Sequence, residues 1–229
     1  MLVEDDEYNY GEAHRWNSIA DCHLKILMLD FTAGQPISLM SERFEQVIQC
    51  LEYEVAHTAN LNQSARPSGI NLERGLAFWG LAVLLGENDL SARISLLALG
   101  EQRDDDYWES EVLNLCFHLM QNGYKNPARE LLYNPYYQDL CSVIRIMHEN
   151  NDKAKAAQIL EHYIKDRYKC RKGDFGYNGH NKMPDYPYYS GYWAFEAATL
   201  VYLFDLDDRL LLKSMYYPKD LVEWARAGH

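Results

Sequence analysis

The chain has 229 residues, of which 48% are hydrophobic and 24% charged, a composition typical of a folded globular protein rather than a disordered one. Its net charge of −12 disfavours nucleic acid and anionic lipid as partners and favours basic proteins, although a plain solubility charge explains the same number. The imbalance lies in residues 1–120, which hold 20 acidic and 7 basic side chains, whereas residues 121–229 hold 14 and 15.

The spacing of the cysteines and the first residues of the chain indicate in which cellular compartment the protein is located. The five cysteines are widely spaced and include no CxxC pair, which argues against a disulfide framework and favours a reducing compartment. The sequence is acidic from its fourth residue and lacks the basic start and apolar stretch of a secretory signal. No apolar run approaches the roughly 18 residues of a membrane span. We therefore expect a cytoplasmic protein without a membrane segment.

The first two predicted helices are separated by a short turn. The first ten residues are polar and acidic, and we expect them to be loose. A helix follows over Ala13 to Thr32, with its apolar residues on one face, and ends before Gly34 and Pro36. The second helix, about Ser38 to Thr58, has the clearest apolar stripe in the chain.

The rest of the first half predicts a loop and three further helices. Residues 59–69 are polar with proline and glycine, which is typical of a loop. The next helix begins at Leu72 and ends at Gly86, and because it is apolar nearly all round we expect it to be the central buried one. Asp89 caps a short helix, and another helix contains Cys116.

The second half predicts more helices and one long loop. A break at Asn122-Gly123 separates an N-terminal acidic helical domain, residues 1–121, from a C-terminal helical domain, residues 122–229. A Tyr- and Gly-rich loop over Cys170 to Tyr188 precedes the last long helix. Two short helices are predicted first, one that begins at Pro127 and one near Tyr137. The helices that follow are predicted at Asp152–Tyr168, Gly191–Phe204 and Asp207–Leu212, and a last turn of helix is predicted after Pro218.

These elements predict an all-α fold. No segment has the alternating pattern of a β-strand, and no repeat of fixed period is present. About ten helices with short links favour antiparallel packing in a bundle-like arrangement.

Enzyme signatures are absent from the sequence, which has no GxGxxG, P-loop, GxSxG or HExxH motif. Asp174, His180 and Asp185 share the long loop, but their spacing matches no known metal site. Cys22 has an aspartate and a histidine as neighbours, yet adjacent side chains on a helix diverge, so we expect a small buried hydrophobe rather than a reactive thiolate. No catalytic residue, metal or cofactor is predicted.

Glu196 is the most unusual charged residue because its neighbours along the chain are apolar. A carboxylate in such a stretch must be paired, or its pKa rises. A catalytic acid is one interpretation. The favoured one is a structural anchor bonded to a tyrosine hydroxyl or a basic side chain, since no second acid lies at a spacing that completes a catalytic pair.

Five tyrosines cluster in and after the long loop, at positions 177, 186, 188, 189 and 192. Tyrosines exposed on a loop are effective anchors for a protein partner, and Tyr186 and Tyr188 are our candidates for that role. In the alternative, the rings lie over the last long helix and close the core. The sequence leaves both open.

Residues 188–198, YYSGYWAFEAA, resemble the YYGYWsfEaAA signature of the C-terminal domain of the PoNi immunity proteins. The tail resembles the closing lDD…YYPyDLv of the same domain, with Lys219 in place of the usual aromatic residue and Ser190 inserted before the glycine. The resemblance implies that the signature residues are scaffold: Gly191, Tyr192, Trp193, Glu196, Tyr217, Pro218 and Asp220.

The N-terminal half is similar to the companion N-terminal domain of that family, most clearly over Leu27 to Val55, where two helices flank an AGQPI turn. The resemblance implies a mostly helical fold and a cognate toxin, a nuclease of the PD-(D/E)xK type delivered by type VI or related secretion. The immunity protein binds this toxin inside the producing cell and blocks its active site.

The densest acidic run of the first half is the candidate contact surface. A nuclease is basic where it grips DNA, so an acidic face competes for that surface and speeds association by steering. The same run is also explained as the start of a helix, where negative charge is favoured. Its members are Asp104, Asp105, Asp106, Glu109 and Glu111.

Three classes of function therefore compete. The favoured one is a protein that neutralises a nuclease toxin by binding. A helical hydrolase that uses Glu196 and a loop histidine is the second, and a general interaction scaffold that uses the Tyr-rich loop is the third. The sequence leaves the identity of the toxin and the oligomeric state open.

Overall fold

The computed structural model consists of helices and the turns that join them in the residues that it describes. These are 3–58, 72–87, 135–170 and 191–228, with 89, 90, 93, 94, 97, 116, 172 and 177–181. Seven α-helices lie within these ranges, and none of the residues there forms a strand. The all-α prediction is confirmed, whereas the predicted count of about ten helices is not.

The helices in chain order are α1 (Val3–Thr32), α2 (Met40–Thr58), α3 (Leu72–Leu84), α4 (Gln138–Asn150), α5 (Lys153–Cys170), α6 (Phe195–Leu203) and α7 (Lys219–Ala227). Short 3-10 turns occupy Ile37–Leu39, Pro135–Tyr137 and Gly179–Asn181. Leu90, Ile94 and Leu97 are helical and buried, in agreement with the short helix predicted there. None of the described helices combines the length and the apolar character that crossing a membrane requires.

Helices α1 and α2 form an antiparallel hairpin along their apolar stripes. Arg43 lies 3.3 Å from Asp30 near the turn, and His57 lies 3.2 Å from Glu12 toward the far end of the pair. The predicted end of the first helix at Thr32 and the predicted second helix are confirmed.

The start of α1 differs from the prediction. Residues 3–10, expected to be loose, are the first turns of the helix. They lack the apolar periodicity on which the prediction relied. Extending an existing helix by one residue adds a hydrogen bond without the cost of nucleation, so a helix fixed by its packed part continues into a polar segment.

Helix α3 is the buried centre of the fold, as its apolar composition predicted. Its side chains Phe78, Trp79 and Leu81 are inaccessible to solvent, and the helix packs against both α6 and α7. Gly80 allows the close approach to α6, because a Cβ atom there would lie 2.9 Å from the backbone of Phe195. The buried apolar side chains of all seven helices consequently form one continuous cluster.

The C-terminal half deviates from prediction at two places. The last long helix begins at Phe195 instead of Gly191, because the segment before it is held by contacts outside the helix. Residues 207–212 form turns instead of a helix. There the Asp207 carboxylate accepts the backbone N–H of Arg209 at 3.1 Å, a local bond that competes with helical hydrogen bonding. The prediction of helix after Pro218 is confirmed by α7.

Candidate functional site

The segment that leads into α6 is fixed at both ends. Gly191 has a φ of +97°, which a side chain rarely tolerates, and a Cβ atom there would lie 2.5 Å from the indole nitrogen of Trp193. The Trp193 indole donates to the Thr32 hydroxyl at 2.9 Å and meets the Phe31 ring edge-on. The N–H of Ala194 donates to the Tyr216 carbonyl at 2.9 Å. This segment therefore ties the end of α1 to the C-terminal helices.

Glu196 is buried and has two strong donors. Its Oε1 accepts the Tyr163 hydroxyl at 2.7 Å and the Nη1 of Arg167 at 2.7 Å. Arg167 is only 3% exposed, and its Nη2 also donates to the Trp193 carbonyl and lies 3.6 Å from a carboxylate oxygen of Glu73. Both partner types that the anchor interpretation required, a tyrosine and a basic residue, are thus present.

The charge state of this cluster follows from its surroundings. Burial alone would lower the pKa of Arg167, but the Glu196 carboxylate holds that pKa well above its usual range. Burial raises the pKa of Tyr163 well above its usual range, and Glu196 raises it further. Arg167 is therefore a cation and Tyr163 a neutral donor across the physiological range. Glu196 is 1% exposed, so this arrangement suits a scaffold rather than proton transfer to a substrate.

The closing part of the signature is likewise structural. Tyr217 is buried, and its hydroxyl donates a hydrogen bond to the Asp208 carboxylate at 2.9 Å. The same carboxylate accepts a hydrogen bond from the Nη1 of Arg226, on α7, at 3.0 Å. Burial and the bond to Asp208 raise the pKa of Tyr217. Pro218 is buried directly before α7, and Asp220 is exposed in the first turn of that helix.

Aromatic rings gather around Tyr168 of α5. Tyr177 stacks on Tyr168 with ring centroids 4.7 Å apart, and Tyr192 meets it edge-on at 5.2 Å. Burial raises the pKa of Tyr168 to about 12. His180 is hydrogen-bonded to the Tyr192 hydroxyl at 3.2 Å. Two of the five clustered tyrosines, Tyr177 and Tyr192, lie in the described ranges. Both rings therefore pack against Tyr168 of this chain.

Most acidic side chains described on α1 and α2 already have basic partners within the chain. Arg93 binds Glu52 and Glu45 at 2.6 and 2.7 Å, and Arg74 binds Asp21 at 2.8 Å. The hydrogen bonds that Arg93 donates to Glu52 raise the pKa of Arg93, as expected for a cation between two carboxylates. The acidic surplus of the first half consequently comes from other positions, above all residues 4–7 and 101–111, which hold ten acidic residues and one arginine by sequence.

The predicted partner-contact residues lie outside the described part of the chain: Asp104, Asp105, Asp106, Glu109, Glu111, Tyr186 and Tyr188. Asp174 and Asp185 of the considered metal combination lie outside it too. Within the described ranges, no three His, Cys, Asp or Glu side chains are grouped closely enough to hold a metal ion.

The prediction for Cys22 is wrong, because this thiol is exposed instead of buried. Cys22 lies on the side of α1 away from α2, where a small residue needs no apolar neighbours. All five cysteines have free thiols in this structure.

The partners of Glu196 were not predicted from the sequence. Tyr163 and Arg167 are four residues apart on α5, a spacing that places two side chains on the same face of a helix. A tyrosine and an arginine at this spacing, within a helix whose other inward residues are apolar, is the signal that would have found them.

The described residues form a helical fold in which a buried ion pair, Arg167 with Glu196, joins α5 to α6. Residues 110–221 match the family described as PoNe immunity proteins (PoNi), C-terminal, so this part of the chain is a PoNi C-terminal domain. The PoNi immunity proteins are a family of inhibitors and not of enzymes.

The solved structures add a fold relative. The crystal structure of protein PA2201 from Pseudomonas aeruginosa is similar with a TM-score of 0.66 and 19% identity, over 96% of this chain and 78% of that one. At this identity the likeness shows the fold alone. A comparison with curated proteins gives no match.

Proposed function

We propose that this chain binds and blocks a cognate DNase toxin inside the producing cell, and so protects that cell. The observation that carries the proposal is the match of residues 110–221 to the immunity family, whose description names PoNe. A cytoplasmic location, a toxin of the PD-(D/E)xK type and its delivery by type VI or related secretion belong to the same proposal.

Charge supports inhibition by occupancy. A nuclease presents basic groups to the DNA phosphates, and an acidic protein that covers these groups excludes the substrate. Complementary charge also raises the association rate, by about 10- to 1000-fold at low salt. A net charge of −13 on residues 1–120 fits a partner of this kind.

In this proposal the two halves of the chain have different tasks. The acidic domain, residues 1–121, supplies contact residues, with Asp104, Asp105 and Asp106 at the centre and Glu109 and Glu111 beside them. The C-terminal domain, residues 122–229, is the scaffold, and its loop contributes tyrosines 186 and 188 at the rim.

The direct test is co-expression with the cognate PoNe-type nuclease that the proposal requires, which is to be sought among the genes next to this one. Cells that produce the active nuclease stop growing, and the proposal predicts that growth is restored when the chain is co-expressed. Continued arrest in the presence of folded, abundant chain contradicts the proposal. A chain that carries Glu196→Gln but is still folded should protect as well as the wild type, because occupancy requires no catalytic acid.

The acidic run is tested by reversing its charge. Replacing Asp104, Asp105 and Asp106 with lysine should slow association with the nuclease by about tenfold at low salt and flatten its salt dependence. A control with the same change in net charge reverses three exposed acids of the C-terminal half, Glu149, Asp152 and Glu223. Equal association rates for the two triple variants would show that the run is not the contact surface.

A further inference from the structure

We draw no further inference here: the strongest candidate, the cluster of tyrosine rings at Tyr168, Tyr192 and Tyr216 where the end of α5 meets the turns before α7, carries nothing because residues 173–176 and 182–190, which adjoin these rings in sequence, lie outside the described part of the chain and nothing in the structure shows what covers the cluster.

Discussion

The buried cluster around Glu196 and the solvent-facing side of α1 depart from the usual distribution of polarity in opposite directions. The first places an ion pair in the core, and every strong charge there has a partner of opposite sign within the chain. The second places three large aliphatic side chains on the surface, those of Ile19, Ile26 and Leu29. A charge that is fully partnered inside the protein maintains the fold, whereas apolar area left exposed is available to another molecule.

The largest expected effect concerns the buried pair. Glu196→Gln leaves the Arg167 cation in the core, where Glu73, at 3.6 Å, is the remaining ion-pair partner among the described residues. We expect the free energy of unfolding to fall by about 3–5 kcal/mol, as measured when one member of a buried pair is removed. Urea denaturation followed by circular dichroism gives this number.

An exposed pair on the same helix is the control. Glu161 binds Lys165 at 2.7 Å on the surface of α5, and Glu161→Gln should change the stability by no more than about 0.5 kcal/mol. Similar losses for the two variants would contradict the structural role assigned to the buried cluster.

A smaller effect is expected at the start of the signature segment. Gly191→Ala places a Cβ atom 2.5 Å from the Trp193 indole at a positive φ, so the segment must shift. We expect a loss of stability of about 1–3 kcal/mol. Toxin affinity, measured below the melting transition, should be unchanged if this segment is scaffold. A stable variant with impaired binding would instead place the segment in the interface.

Periodicity was sufficient to predict the helices that have one clean apolar face. Helix α2 and the inward residues of α1 were found because each face repeats every three or four residues. Residues 3–10 and 191–194 were assigned wrongly for opposite reasons. The first continue a helix without apolar residues of their own, and the second are held in a non-helical path by a bond to Tyr216 that lies far away in sequence.

The candidate site was harder to predict from the sequence than the helices were. Apolar neighbours along the chain identified Glu196 as unusual, but its partners lie 29 and 33 residues away on another helix. The exposure of Ile19, Ile26 and Leu29 was not predicted either, because these residues alternate with core residues, so that α1 has apolar positions on two faces. Only the packing of α2 against one face reveals that the other is exposed.

The central claim is that the chain inhibits by occupying a nuclease and not by turnover. Its most direct test is the titration of a fixed amount of the active cognate nuclease with increasing chain, with DNA cleavage as the readout. Residual cleavage should fall linearly to a fixed molar equivalence point that does not depend on incubation time. Inactivation that continues at amounts of chain far below that of the nuclease, or cleavage that persists at an excess of folded chain, would contradict it.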